Sequence, residues 1–186
     1  MIQPEPVVGR PRETALVVAV PEAEPAIAAF RARFDSVAVA KRIPPHVTLL
    51  YPFVPANELD PALLQSLREL YKPVRPFDFQ LTRVDRFDHH VWLAPDPRNR
   101  FVELIELTCA RFPAYPSYGE RALTPEPHLT IGTAEGDRTV EATAAVAKME
   151  LATALPLRCR AERVSLLEEQ AEGTWAVRTT TPFTDR

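Results

Sequence analysis

The chain reads as a mixed α/β (α+β) fold made of two pseudo-symmetric lobes, and three observations predict it. The order strand, helix, strand, helix, strand runs twice through the 186 residues. Both halves place the same short pattern, His-apolar-Thr-apolar, on the middle strand. No linker or low-complexity tract separates the halves, so we expect a single bilobal domain over residues 1–186.

The first half opens with TALVVAV (14–20), a continuous β-rich apolar run expected to be a buried strand. Pro25 suits the first turn of a helix, and Ile27, Phe30 and Phe34 follow at helical spacing. HVTLLY (46–51) is the next strand. Asp60-Pro61 offers an N-cap and an N1 proline to a helix striped by Leu63, Leu64, Leu67 and Leu70. FDFQLTRVDRF (77–87) alternates as a long strand does.

The second half starts with HVWLA (90–94), hairpin-linked to the preceding strand through Asp88-His89. Asp96-Pro97 repeats the cap-and-proline signal, and Phe101, Leu104, Ile105, Thr108 and Phe112 line one helical face. A proline-rich loop leads to HLTIG, then Asp137 is placed to cap a helix carrying Val140, Ala144 and Ala147. LRCRAERVSLLEE (157–169) and GTWAVRTT (173–180) read as a closing hairpin. Twenty prolines against five glycines punctuate these boundaries.

Composition narrows the function classes. Hydrophobic residues make up 46% and charged residues 25%, which supports a real core. A net charge of −3 supplies no global field for long nucleic acid, although a short nucleotide can be held by a few local donors. Cys109 and Cys159 have neither metal-ligand spacing nor a disulfide framework and read as reduced thiols. The N-terminal stretch lacks the apolar core of a signal peptide, and no run suits a membrane span. These features give the expectation of a cytoplasmic monomer with no membrane association and no obligate protein partner.

Two of the four histidines share one setting, PPHVTLLYPF (44–53) and PEPHLTIG (125–132). On a strand, positions two apart point the same way, so His46 joins Thr48 on one face and His128 joins Thr130. Pro45 and Pro127 favour an extended approach that holds each ring. A single His-x-Thr run is better explained by packing; two copies in equivalent slots argue for chemistry. Opening a phosphodiester needs a base for the nucleophile and an acid for the leaving oxygen, and two imidazoles supply both near neutral pH. Threonine hydroxyls can donate to the non-bridging oxygens as charge develops there. No cofactor is expected. No metal is expected either, because His-x-His, HExxH and Cys-x-x-Cys are absent, as is the G-x-S-x-G of acyl chemistry.

HVTL and HLTI, 82 positions apart, resemble the paired motifs of the 2H phosphoesterase superfamily, and YPSYG before PHLTI is closest to its 2′–5′ RNA ligase-like branch. The resemblance implies antiparallel sheets around a central cleft and metal-independent catalysis, with His46 and His128 as acid and base and Thr48 and Thr130 beside them. It implies opening of 2′,3′-cyclic phosphates, at the end of a short RNA or in a cyclic nucleotide, with 2′–5′ ligation as the reverse reaction. Better-studied members carry a Phe-Leu-Gly-like stretch after the first motif, where this chain has Leu50-Tyr51-Pro52-Phe53, and substrate identity stays open. Another cyclic phosphate, such as a cyclic ADP-ribose phosphate, is a second candidate substrate. A non-catalytic nucleotide-binding module would be expected to lose one of the four motif residues.

Substrate contacts are expected from Tyr51, Phe53 and Tyr118 as stacking rings and from Arg42, just before the first motif, as a phosphate cation. Trp92, Tyr115 and Lys41 are further neighbours of the motifs. His89 and His90 read as turn and surface residues.

Overall fold

The computed structural model describes residues 10–87, 89–115 and 126–185. In chain order these form β1 (Thr14–Ala19), α1 (Glu24–Phe34), α2 (Ser36–Ala40), β2 (His46–Leu50), α3 (Pro61–Tyr71), β3 (Phe77–Phe87), β4 (His90–Asp96), α4 (Arg98–Arg111), β5 (Leu129–Thr133), α5 (Val140–Glu150), β6 (Leu157–Ala161), β7 (Arg163–Glu169) and β8 (Trp175–Pro182). Two four-stranded sheets result, ordered β2-β1-β7-β8 and β5-β4-β3-β6, with every pairing antiparallel. Each motif strand is therefore an edge strand, next to the strand that opens its own unit.

The stretch 157–169 is not one arm of a hairpin, as its sequence suggests. Leu157–Ala161 joins β3 in the second sheet, Arg163–Glu169 crosses to pair with β1 and β8 in the first, and the closing hairpin is β7–β8 alone. Burial explains the break: Cys159 and Ala161 face the core from one sheet, Val164 and Leu166 from the other, and Glu162 lies exposed between them.

Two helix caps also differ from expectation. Asp96 ends β4 opposite Gln80, leaving α4 without a side-chain cap. Thr139, not Asp137, caps α5 by accepting from the Ala142 N–H. Asp60 does cap α3, accepting from Leu63 N–H at 2.7 Å with Pro61 at the first position.

The connecting helices exchange partners. α1 links β1 to β2 yet packs on β5, and α4 links β4 to β5 yet packs on β2. One apolar cluster consequently holds Leu16, Val47 and Leu49 of the first sheet with Leu93, Leu129 and Ile131 of the second. Burying aliphatic side chains from both sheets in one cluster ties the formation of each to the other. The same arrangement brings β2 and β5 alongside each other.

β1 is buried from Thr14 to Val18 because each of its faces is covered. Leu16 and Val18 enter the main core, while Ala15 and Val17 join Leu167, Trp175, Ile43 and Tyr51 in a smaller cluster on the opposite face. That opposite face is the one that carries His46 and Thr48.

Candidate active site

Along β2, Val47 and Leu49 are buried in the core while His46 and Thr48 are half-buried on the other face. β5 repeats this with Leu129 and Ile131 buried and Thr130 half-buried, and His128 stands one residue before the strand. Alternation thus puts the four motif side chains on matching faces of two neighbouring edge strands.

Both imidazoles are anchored in the same way. His46 Nδ1 lies 2.7 Å from the Pro44 carbonyl oxygen, and His128 Nδ1 lies 2.8 Å from the Glu126 carbonyl oxygen. A carbonyl only accepts, so each Nδ1 carries the proton and donates it. In the neutral ring Nε2 is then the basic nitrogen. The proline between carbonyl and histidine in each motif extends the backbone so that this two-residue return bond can form.

Burial lowers the pKa of both rings. For His46 burial dominates, the bond to Pro44 opposes it, and the charges of Arg31 and His128 add to it, bringing the pKa from 6.5 to about 4. For His128 burial again dominates, opposed by the bond to Glu126 and helped by the charge of His90. The repulsion between His46 and His128 means that a proton on one disfavours a proton on the other, as an acid–base pair requires.

The surroundings of the two rings differ. His128 sits against aromatic side chains: Phe87 meets it edge to face at 4.8 Å and Trp92 lies 5.9 Å away. Trp92 stands directly across from Thr130, and its buried Nε1–H has no hydrogen-bond partner among the described residues. His46 has instead a buried cation nearby, Arg31 on α1, 3% exposed.

Of the expected substrate contacts, Tyr51 and Arg42 lie near the first motif. Tyr51 is half-buried, with its ring 6.1 Å from Trp175 and its hydroxyl donating to Glu13 at 2.6 Å. Burial and that carboxylate push its pKa up to about 12, so the hydroxyl stays protonated and engaged. Arg42 is exposed at a left-handed turn (φ 58°) in the loop leading to β2. Phe53 is a correction: it is 3% exposed in the core, between Phe112 and Tyr115 at 5.0 and 5.6 Å, and offers no ring to a ligand. Burial wins because Phe53 follows the core residues of β2 across a short turn and its N–H is fixed by the Thr14 carbonyl. Tyr118 lies outside the described residues.

Sequence reasoning passed over Arg31 and Phe87, and it read His90 as a surface residue, which its exposure bears out. Arg31 looks like any helix-surface cation. Phe87 and His90 are cross-strand partners at the β3–β4 turn, and on β4 His90 shares the face of Trp92. That alternation was legible in HVWLA; the proximity of β5 was not.

Comparison with known proteins agrees with this fold. No curated protein matches the chain by sequence. Among solved structures, Escherichia coli LigT in complex with 3′-AMP is similar with a TM-score of 0.61 at 16% identity, covering 95% of this chain and 100% of that one. A crystal structure described as a phosphoesterase aligns with a TM-score of 0.59 at 14% identity, covering 95% and 100%. The protein TT0787 of Thermus thermophilus aligns with a TM-score of 0.55 at 18% identity, covering 91% and 97%. At such identities the likeness is one of fold. Residues 19–173 match the sequence profile of the 2′-5′ RNA ligase superfamily, a span that holds both motifs. The chain belongs to the 2′-5′ RNA ligase superfamily, the 2H phosphoesterases that its paired motifs resemble.

Proposed function

We propose that the protein opens 2′,3′-cyclic phosphates, at RNA ends or in small cyclic nucleotides, by two-histidine acid–base catalysis without a metal ion. The observation that carries this reading is the matched anchoring of His46 and His128 through Nδ1, which leaves two equivalent Nε2 atoms for proton transfer. In hydrolysis one Nε2 takes a proton from water as it attacks phosphorus. The other delivers a proton to the departing ribose oxygen, so the ring opens to a monoester. Thr48 and Thr130 donate to the non-bridging oxygens, whose charge grows in the transition state. With an RNA 5′-hydroxyl attacking in place of water, the same groups give ATP-independent 2′–5′ ligation.

A ligand of nucleotide size fits this reading. LigT, similar in fold, has been crystallised with 3′-AMP and with ATP. On this chain the Tyr51 ring and the exposed Arg42 are the proposed contacts beside the first motif, and Tyr118 is proposed from sequence alone.

The test is a substrate panel of 2′,3′-cyclic mononucleotides, cyclic-phosphate-ended oligomers and 2′–5′ dinucleotides, assayed after exhaustive chelation with product regiochemistry determined. Turnover of a cyclic phosphate in the chelated sample is the expected result. Turnover of none of them, or turnover restored only by a divalent ion, would overturn the proposal.

A further inference from the structure

We propose that Arg31 is a positioning residue for His46, acting through the backbone of the loop that joins α2 to β2. The inference rests on His46 serving in acid–base catalysis, but its geometry is independent of substrate identity.

Pro44 and Pro45 form the last step of the loop before β2. Neither has an N–H, so this step of the loop can be held only through its carbonyls. The Pro44 carbonyl is committed to His46 Nδ1 at 2.7 Å. The carbonyls on either side are both taken: Val20 N–H donates to Pro45 at 2.8 Å, and Arg31 Nη2 donates to Ile43 at 2.8 Å. Among the described residues, Arg31 is thus the side chain that, besides His46 itself, holds this run of three carbonyls.

Its guanidinium is built into place. Nε faces Asp35 at 3.3 Å and Nη1 faces Glu24 at 3.5 Å, while the side chain is 4% exposed. A buried cation is costly unless its charge and its N–H groups are satisfied together. The planar fork of arginine reaches two carboxylates and a carbonyl at once, which a lysine ammonium on a flexible stem does not reproduce. Ile43 N–H is itself held by the Ala38 carbonyl, and Lys41 O accepts from the Trp175 N–H, so the start of the loop is fixed through its backbone as well. In the second lobe, Arg98 on α4 contacts the side chain of Glu126 at 3.0 Å at an exposed site, and the Glu126 carbonyl accepts from His128 Nδ1.

The experiment reads His46 directly. In the ¹⁵N spectrum of the unliganded full chain at pH 7, His46 should appear as a single tautomer protonated at Nδ1. Arg31→Met, which removes charge and donors, should mix the two tautomers. It should also lower kcat at least about 10-fold with KM changed less than about 3-fold, since the loss falls on the reacting group and not on substrate binding. Arg31→Lys keeps the charge for Asp35 and Glu24 and should preserve the fold, yet also mix the tautomers, because a single ammonium does not span the carboxylates and the Ile43 carbonyl together. Arg98→Met should leave the His46 signal unchanged. If Arg31→Met fails to fold, Arg31→Lys decides alone. A single unmixed His46 tautomer in either folded variant would overturn the proposal. Should the wild type turn over no cyclic phosphate, the spectrum still decides the positioning role while the catalytic reading falls separately.

Discussion

His46 and Pro44 are joined by a 2.7 Å hydrogen bond from the imidazole Nδ1 to a carbonyl two residues upstream, and His128 and Glu126 repeat it at 2.8 Å. A packing histidine needs no such repeat. The shared bond fixes tautomer and ring plane in both lobes, and these are the two properties that proton transfer at Nε2 depends on.

Replacing His46 or His128 by Ala is expected to lower kcat by about 10²–10⁴-fold each, the usual share of a positioned acid or base. The double variant should fall well short of the product of the two, because groups that act as a unit are not additive. Turnover measured beside thermal stability separates this from a packing role. Variants that melt early but turn over normally per folded molecule would refute it.

Both imidazoles have pKa values lowered from 6.5, His46 to about 4, with burial the leading cause. Catalysis needs one ring protonated and the other neutral. In the free protein that form is most populated between the two macroscopic pKa values, so kcat/KM should be bell-shaped with its maximum below pH 6.5. Stability has a matching sign. A ring that resists protonation when folded binds fewer protons than when unfolded, so its contribution is complete above about 6.5 and is lost as pH falls towards 4. For His46 the loss is at most about 3–4 kcal/mol, since one unit corresponds to about 1.4 kcal/mol. Denaturant unfolding from pH 4 to 7 should show a shallower slope for His46→Gln than for wild type. Equal slopes, or a kcat/KM that rises steadily to pH 9, would contradict the assignment.

Most local signals in the sequence held, although the caps expected from Asp96 and Asp137 did not form. The Asp60-Pro61 cap, the α1 stripe of Ile27 and Phe30, and the alternation of His46 and Thr48 all follow from positions a few residues apart. The other failures were long-range. The transfer of the chain between sheets at Glu162 depends on which core accepts Ala161 and Val164, and no window around Glu162 contains that information. The burial of Phe53 depends on Phe112, and the role of Arg31 depends on Ile43 lying across from α1. The first of these contacts exists only once α4 packs on β2.

Thr48→Val and Thr130→Val keep the β-branched shape that suits a strand and remove only the hydroxyl. Each is expected to cost about 10- to 10³-fold, chiefly in kcat, because a bond to a non-bridging oxygen strengthens as charge develops there. Stability should change little, since both side chains are half-buried on the open face. Steady-state kinetics with denaturant unfolding would check both parts. A loss confined to KM would instead assign these hydroxyls to ground-state binding.

The exchange of helices between sheets can be tested at Gly132 on β5. A Cβ there would stand 3.1 Å from Phe34 Cβ and 3.2 Å from Phe30 Cε1, both on α1, the helix that links β1 to β2. Neither ring is free to retreat: they stack at 4.5 Å, and the guanidinium groups of Arg33 and Arg138 lie over Phe34 at 4.8 and 5.2 Å. The contact at Phe34 is also with Cβ, which moves only with its helix. Gly132→Ala is therefore expected to destabilise the protein by about 1–3 kcal/mol, the usual cost of overpacking. Since Thr130 stands two residues away and His128 four, the shift should lower kcat as well, in the folded fraction. Added methyl volume that left stability unchanged or raised it, as loss of glycine's unfolded-state freedom can, would mean that α1 yields at this contact. The two sheets would then be less firmly coupled than the shared core of Leu16, Val47, Leu129 and Ile131 implies.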